Sequence, residues 1–323
     1  LCALAVGEPP LSYQWRFNGE ELAGATDCVL RLTGLRLDQA GEYRMVACNA
    51  RGCVTSAVSV VQVRPQVSVA AWGANGLGEC HVPRGLSNLV AVASRYGHAL
   101  ALRDDGTVAA WGDAGGYENV RPPGATNLVA IDCGDKFNVA LRADGRLLVW
   151  GRAEAGLLTN NLMYGEQYLG IAAGRYFVIA LRRNGTVFST APVGGALLGT
   201  AGVKALAAGS SHCMALKTNG TLVVWTDVAS PGPYYGLNTV PAGLSNVTAI
   251  ACGGYHNLAL KADGTVVAWG SNSHGQTNVP PTATNVVAIA AGESHSLARR
   301  ADGSVVAWGA GMYGQTTVPA GLT

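Results

Sequence analysis

The sequence predicts an all-β protein: a short non-repetitive β domain, residues 1–65, followed by a β-propeller, residues 66–323. Three observations carry this. Trp72, Trp111, Trp150, Thr190, Trp225, Trp269 and Trp308 recur at intervals of 35 to 44 residues. Each copy, clearest in Gly253–Pro280, holds alternating apolar runs around an Asp-Gly or Asn-Gly turn and shows no helical period. The first 65 residues lack the pattern altogether. A β unit that cannot bury its apolar face alone must stack on further copies. Long loops between three-stranded units favour radial packing over a solenoid.

Composition excludes several classes. Charged residues are 13% of 323, glycine numbers 44, and the net charge is +2. With no basic run, nucleic acid is not an expected partner. No apolar stretch approaches the roughly 18–20 residues of a membrane span. No signal peptide is visible, and Leu1 reads as lying within a strand, which leaves room for a preceding targeting segment.

In the first domain, GEPPLSYQWRFNGEELAG is followed by VLRLTGL and DQAGEYRMVACNARG. Trp15, the Asn18-Gly19 turn and the Asp-x-Ala-Gly-x-Tyr corner ending at Tyr43 resemble an immunoglobulin domain of the I-set type. The resemblance implies a β-sandwich in which the Tyr43 hydroxyl bonds back to nearby backbone. The chain departs from that family at the inter-sheet disulfide, whose positions fall on Ala3 and Met45, so Trp15 is expected to pack on aliphatic side chains. The family's usual first strand is missing, so the chain is expected to be a fragment. Cys48 and Cys53 flank the turn Asn49–Gly52, facing each other either as a bridge or as two free thiols. Cys2 and Cys28 point to opposite faces by strand alternation and are not expected to pair. Between the domains stand only Arg64, Pro65 and Gln66, and Pro65 should limit their swing.

Six complete three-strand repeats follow, with turns at Asp105-Gly106, Asp144-Gly145, Asn184-Gly185, Asn219-Gly220, Asp263-Gly264 and Asp302-Gly303. An Asp-Gly pair suits a tight hairpin turn with φ above zero at both central residues. RYGHALAL, DKFNVALR, RYFVIALR, SSHCMALK, GYHNLALK and ESHSLARR precede the turns; TVAAWG, TVVAWG and their variants follow. GQTNVP-like loops connect the units, and the stretch from Thr190 to Gly202 is the most degenerate. These residues resemble the repeats of the regulator of chromosome condensation class, most nearly its short-repeat propellers that inhibit beta-lactamases. The resemblance spans about 258 residues, from Gln66 onward, and implies the propeller fold. It says little of function, since one fold hosts many.

Strand direction places the Gly-x-x-His and Trp-Gly loops on one rim and the Asp-Gly turns on the other. The candidate binding rim is Arg95, Tyr96, Asp135, Lys136, Phe137, Arg175, Tyr176, Phe177 and Tyr255, with Tyr117 and Tyr313 as additions. His98, His212, His256 and His295 share a repeat position that Phe137 and Phe177 occupy elsewhere, so the position reads as packing or loop bracing rather than metal ligation. Cys133, Cys213 and Cys252 read as small buried hydrophobes. Gly309–Gly314 fits GxGxxG, but a repeat loop follows where a dinucleotide site needs a helix. No nucleophile–base pair or carboxylate pair emerges, and neither cofactor nor metal is expected. The function read from the chain is non-catalytic extracellular binding or adhesion toward a protein or glycan. Inhibition of a secreted enzyme is the alternative, a hydrolase is less favoured, and nucleotide exchange fits poorly.

Val67–Gly73 reads as a third strand without its own first and second, and the sequence reaches Thr323 where another first strand would begin. The expectation is seven blade positions with the seventh incomplete, leaving an open edge beside the first and sixth repeats. The alternative is a six-bladed ring with Val67–Gly73 as an outer strand.

Overall fold

The computed structural model describes residues 1, 5, 8–32, 37–61, 69–113, 115, 119–152, 166–190, 200–226 and 236–322. It divides into two compact units, Leu1–Val67 and Ser68–Thr323. Cys2, Ala3, Arg64–Gln66, Tyr117 and residues 191–199 lie outside the described residues. Among the described residues there is no α-helix.

The first unit contains one five-stranded antiparallel sheet. Gly41–Asn49 pairs with Ser12–Phe17, Gly52–Thr55 and Ser59–Val61, and Ser12–Phe17 also pairs with Glu20–Glu21. Alternation puts Tyr43, Met45 and Ala47 on the buried face with Trp15. Leu22, Ala25, Leu30 and Leu32 cover that face, so the tryptophan does pack on aliphatic groups. The expected second sheet is not formed among the described residues. The Trp15 indole donates to Asp27 O at 2.9 Å, and the Tyr43 hydroxyl donates to Gln39 O at 2.9 Å. Cys48 and Cys53 are opposed in register and joined by a disulfide.

The second unit is six three-stranded antiparallel sheets, each with its second strand in the middle. In chain order the first strands are Leu89–Arg95, Leu128–Cys133, Tyr168–Ala173, Val203–Ala208, Val247–Cys252 and Val286–Ala291. The second strands are His98–Arg103, Phe137–Arg142, Val178–Arg182, His212–Lys217, His256–Lys261 and His295–Arg300. The third are Val108–Gly112, Leu147–Gly151, Val187–Ser189, Leu222–Thr226, Val266–Gly270 and Val305–Gly309. Successive first strands touch one another and so line the axis of a propeller. A middle strand covered on both faces needs a continuous apolar run, which HALAL and HNLAL supply.

The turns correct one expectation. Gly264 N–H bonds Lys261 O at 3.0 Å and Lys261 N–H bonds Thr265 O at 2.9 Å, with only the glycine at positive φ. This is a type I turn closed by a glycine bulge, not the two-residue turn with both residues at positive φ. Asp263 Oδ1 instead accepts Thr265 N–H at 3.0 Å.

The cores lie between sheets. Ile131 joins Leu100 and Leu102 of the preceding repeat, Ile250 joins Met214 and Leu216, and Ile289 joins Leu258 and Leu260. Burying each such side chain stabilises the seam by roughly 1.5–3 kcal/mol. The repeat histidines brace the same seams. His98 Nε2 meets Asn138 Oδ1 at 2.9 Å, His212 Nε2 meets Asn257 Oδ1 at 3.0 Å, and His256 Nε2 meets Ser296 Oγ at 2.9 Å. Asn257 Nδ2 already donates to Leu237 O and Ser296 Oγ to Gln276 O, which makes Nε2 of His212 and His256 the donor. Where the position is phenylalanine, the facing residue turns apolar: Phe137 precedes Val178, and Phe177 precedes Cys213. The Gly-x-x-His glycine is required because the ring lies against it; a Cβ on Gly253 would come within 2.1 Å of His256 Cε1.

The sixth repeat does not close on the first. Val286–Ala291 and Leu89–Arg95 lack the extensive contact that joins the other successive first strands. Residues 69–73 hold the place between them. Val69 packs with Leu89, Ala101 and Trp111 of repeat one, as Val266 of repeat five packs with Val286, Ala298 and Trp308 of repeat six. The Trp72 indole donates to Gln315 O at 3.1 Å, just as Trp308 donates to Gln276 O at 2.9 Å. The ring therefore has seven positions, with residues 69–73 at the outer edge of the seventh. They form no strand, because the described residues supply no partner for them to pair with.

Candidate functional site

The loops between first and second strands surround the axial mouth, and their register decides what meets there. The residue after the glycine of each Gly-x-x-His loop is Asp135, Arg175, Ser210, Gly254 and Glu293 in repeats two to six. Backbone bonds carry these loops round the ring: Asp135 N–H to Arg175 O at 2.8 Å, Arg175 N–H to Gly209 O at 3.2 Å, Ser210 N–H to Gly254 O at 3.2 Å, and Gly254 N–H to Glu293 O at 3.0 Å. Gly254 is small for a reason, since a Cβ there would lie 2.6 Å from the Glu293 carboxyl carbon.

Repeat one departs from the pattern. Arg95 stands where the others have glycine, and a tight turn through Tyr96 (φ 47°) and Gly97 (φ 89°) joins Arg95 to His98. Both side chains cross the mouth. Arg95 Nη2 donates to Ala208 O of repeat four at 2.7 Å. The Tyr96 hydroxyl is 3.0 Å from Ser210 Oγ and donates to Glu293 Oε2 at 3.0 Å. Ser210 Oγ also donates to Glu293 Oε2 at 3.1 Å. Arg175 lies 4.9 Å from the Tyr96 ring centroid and 5.0 Å from that of Tyr176, and its Nε is 3.4 Å from Asp135 Oδ2.

Burial and neighbouring charges shift Tyr96, Asp132 and Arg175 at the mouth. Burial, aided by the Glu293 charge, pushes the Tyr96 hydroxyl up to about 12, so it remains a donor. Burial also raises the Asp132 carboxyl on the axis wall, against the N–H of Ala173, the charge of Arg95 and the N–H of Cys133. Burial pulls Arg175 down, and Tyr96, Tyr176 and Asp135 more than offset it.

Of the sequence-predicted rim, Arg95, Tyr96, Asp135 and Arg175 converge on the mouth. Tyr176 is 54% exposed and Lys136, at the same loop position of the preceding repeat, is also exposed, whereas Tyr255 is half-buried. Phe137 and Phe177 are corrections: both fill the buried slot that histidine takes elsewhere and cannot touch a ligand. Tyr313 is exposed on a Trp-Gly loop with Met312. Ser210 and Glu293 were missed as members of the site, although reading the first loop position down all six repeats collects them.

Reactive chemistry is poorly served. Burial raises the Cys213 thiol to about 12 and pushes its neighbour His212 down to about 4. Burial leaves Cys133 and Cys252 well above the ordinary thiol range. Among the described residues no three His, Cys, Asp or Glu side chains are placed to hold a metal ion, and no helix is long and apolar enough to cross a membrane.

Three stretches of the second unit, residues 128–164, 247–276 and 286–315, match the regulator of chromosome condensation (RCC1) repeat. These are repeats two, five and six. RCC1-type propellers are also what the fold resembles among solved structures. Prp20p from Saccharomyces cerevisiae, studied for its binding to Gsp1p and histones, superposes with a TM-score of 0.61 at 18% identity over 76% of this chain and 81% of its own. The CRINKLY WD40 ectodomain of the Arabidopsis thaliana receptor kinase ACR4 gives 0.59 at 18% over 84% and 92%. The ectodomain of the Physcomitrella patens receptor kinase CR4 gives 0.55 at 24% over 68% and 64%. At these identities the likeness is one of fold. No curated protein matches the chain in sequence.

Proposed function

We propose that this chain is a non-catalytic protein-binding module whose contact surface is the mouth loops of the RCC1-type propeller. The observation that carries the reading is the braced Tyr96–Arg175–Tyr176 stack. It presents the exposed Tyr176 ring, and its Tyr96 is held by hydrogen bonds to Ser210 and Glu293. Tyrosine and arginine held rigidly in this way lose little entropy on binding and form interface anchors. On the opposite rim the described hairpin turns have their Asp and Asn side chains engaged with their own backbone, and the residues before each first strand pack against them.

The first unit is read as an immunoglobulin-type domain, supported by buried Trp15 and the Tyr43 hydroxyl bond to Gln39 O. An extracellular setting is supported by the Cys48–Cys53 disulfide, which persists only in an oxidising compartment. The occurrence of the same fold in receptor-kinase ectodomains is compatible with that setting.

The test is selection of a displayed protein library against the full chain, followed by mapping of the binders. Selected binders should lose at least about tenfold in affinity for the Lys136→Ala, Tyr176→Ala double variant. They should be indifferent to Asn219→Ala on the turn rim. Binders that map to the turn rim, or a glycan array that binds while protein libraries yield nothing, would overturn the reading. Inhibition of a class A beta-lactamase by micromolar chain would narrow it to an enzyme inhibitor.

A further inference from the structure

We propose that Glu293 anchors a cationic side chain at the mouth, so that the partner presents a lysine or arginine there; this deepens the binding reading of the mouth and rests on it. Pairing inside the mouth leaves few charges over. Arg175 Nε is 3.4 Å from Asp135 Oδ2, and the Asp135 side chain is only 14% exposed. Arg95 Nη2 is engaged with Ala208 O, and the Asp132 carboxyl accepts the N–H groups of Cys133 and Ala173 at 2.8 and 2.7 Å. Two charged groups remain. Lys136 and Glu293 are both exposed, and neither makes an ion pair among the described residues.

Glu293 is already set for a cation. Its Oε2 accepts the Tyr96 hydroxyl at 3.0 Å and the Ser210 hydroxyl at 3.1 Å, while Oε1 has only Ser210 Oγ, at 3.3 Å. A carboxylate offers about four acceptor sites, so Oε1 keeps room for a donor from outside. Tyr96 is in turn held over its ring by Arg175, 4.9 Å from the centroid. Gly254 keeps the space beside the carboxylate clear, since a Cβ there would lie 2.6 Å from the carboxyl carbon. A side chain fixed by two hydroxyls loses little entropy when it pairs. Hydroxyl donors also orient the negative charge without cancelling it, as a guanidinium would.

Lys136, from repeat two, gives the mouth the opposite charge at a second place. The two charges order the partner, with its basic group toward repeat six and none toward repeat two. A partner docked the other way round would set like charges together.

The experiment runs two displayed libraries of one small scaffold against the protein. One has every residue type at its randomised positions, and the other has neither lysine nor arginine there. Mouth binders are those that lose affinity for the Lys136→Ala, Tyr176→Ala double variant. The complete library should yield mouth binders that carry a lysine or arginine and lose about tenfold on Glu293→Gln, which keeps the side chain's shape. Replacing that basic residue by methionine should cost as much against the parent, but under about twofold against Glu293→Gln; a merely structural glutamate would show no such coupling. Mouth binders that tolerate Glu293→Gln, or equally tight mouth binders from the library without basic residues, would overturn the proposal and leave the mouth reading standing. If neither library yields a mouth binder, that reading falls and the proposal with it.

Discussion

The seam between repeats five and six and the one after repeat six are built from nearly the same sequence, yet they end in different states. GGYHNLALK leads into a seam where His256 meets Ser296 and where Leu258 and Leu260 are covered by Ile289. GESHSLARR leads into a seam where the His295 ring has no hydrogen-bond partner among the described residues and Arg299 is exposed. The difference shows that repeat sequence alone does not fix burial; the neighbour does. A strand two becomes a core strand only when a strand one packs on it.

Truncating the leucines should separate the seams most widely. Leu258→Ala removes a wholly buried side chain from a packed seam and should cost about 3 kcal/mol, while Leu297→Ala should cost about 1 kcal/mol. Urea midpoints of the two variants measure this directly, and equal losses would mean that the seams are alike.

The histidine staples give the next effect. His256→Phe should cost roughly 1–3 kcal/mol by removing the hydrogen bond that the buried Ser296 hydroxyl accepts, and adding Ser296→Val should recover most of it by recreating the Phe–Val pairing seen at Phe137 and Val178. His295→Phe should change stability by under about 0.5 kcal/mol.

Acid should act through the same closed seams. Burial pushes His212 and His256 down to about 4, below the usual 6.5 of an unfolded chain. Between these values the unfolded chain binds protons that the folded one does not. Stability is therefore complete above pH 6.5 and falls as pH drops toward 4. A variant with both closed-seam pairs replaced (His212→Phe with Asn257→Val, His256→Phe with Ser296→Val) should lose less stability between pH 6.5 and 4.5. A slope identical to that of the parent would contradict the assignment.

Much of this was legible in the sequence because the repeat is local. Three strands per unit, the turn positions and a bracing rather than ligating histidine follow from patterns within about forty residues. Convergence on the axis was not legible. Tyr96, Ser210 and Glu293 are brought together across the mouth from repeats one, four and six, and within each repeat nothing local marks them as neighbours. Phe137 and Phe177 were misplaced on the rim because one step along the loop separates an exposed position from a buried one. The Asp-Gly turn type was misread because the glycine alone takes positive φ while the aspartate caps its own turn. The Cys48–Cys53 bridge needed the register of Gly41–Asn49 against Gly52–Thr55.

Labelling kinetics offer a finer contrast of the two seams. Val92→Cys on the open face should react with maleimide at about the rate of exposed Cys28, whereas buried Cys252 should remain unmodified until unfolding. The difference in burial between the seams is tested most directly by hydrogen exchange resolved to peptides of these 323 residues. His295–Arg300 and Leu89–Arg95 should exchange before their counterparts His256–Lys261 and Val247–Cys252, which lie inside closed seams. Equal protection of all six sheets would contradict the difference in burial.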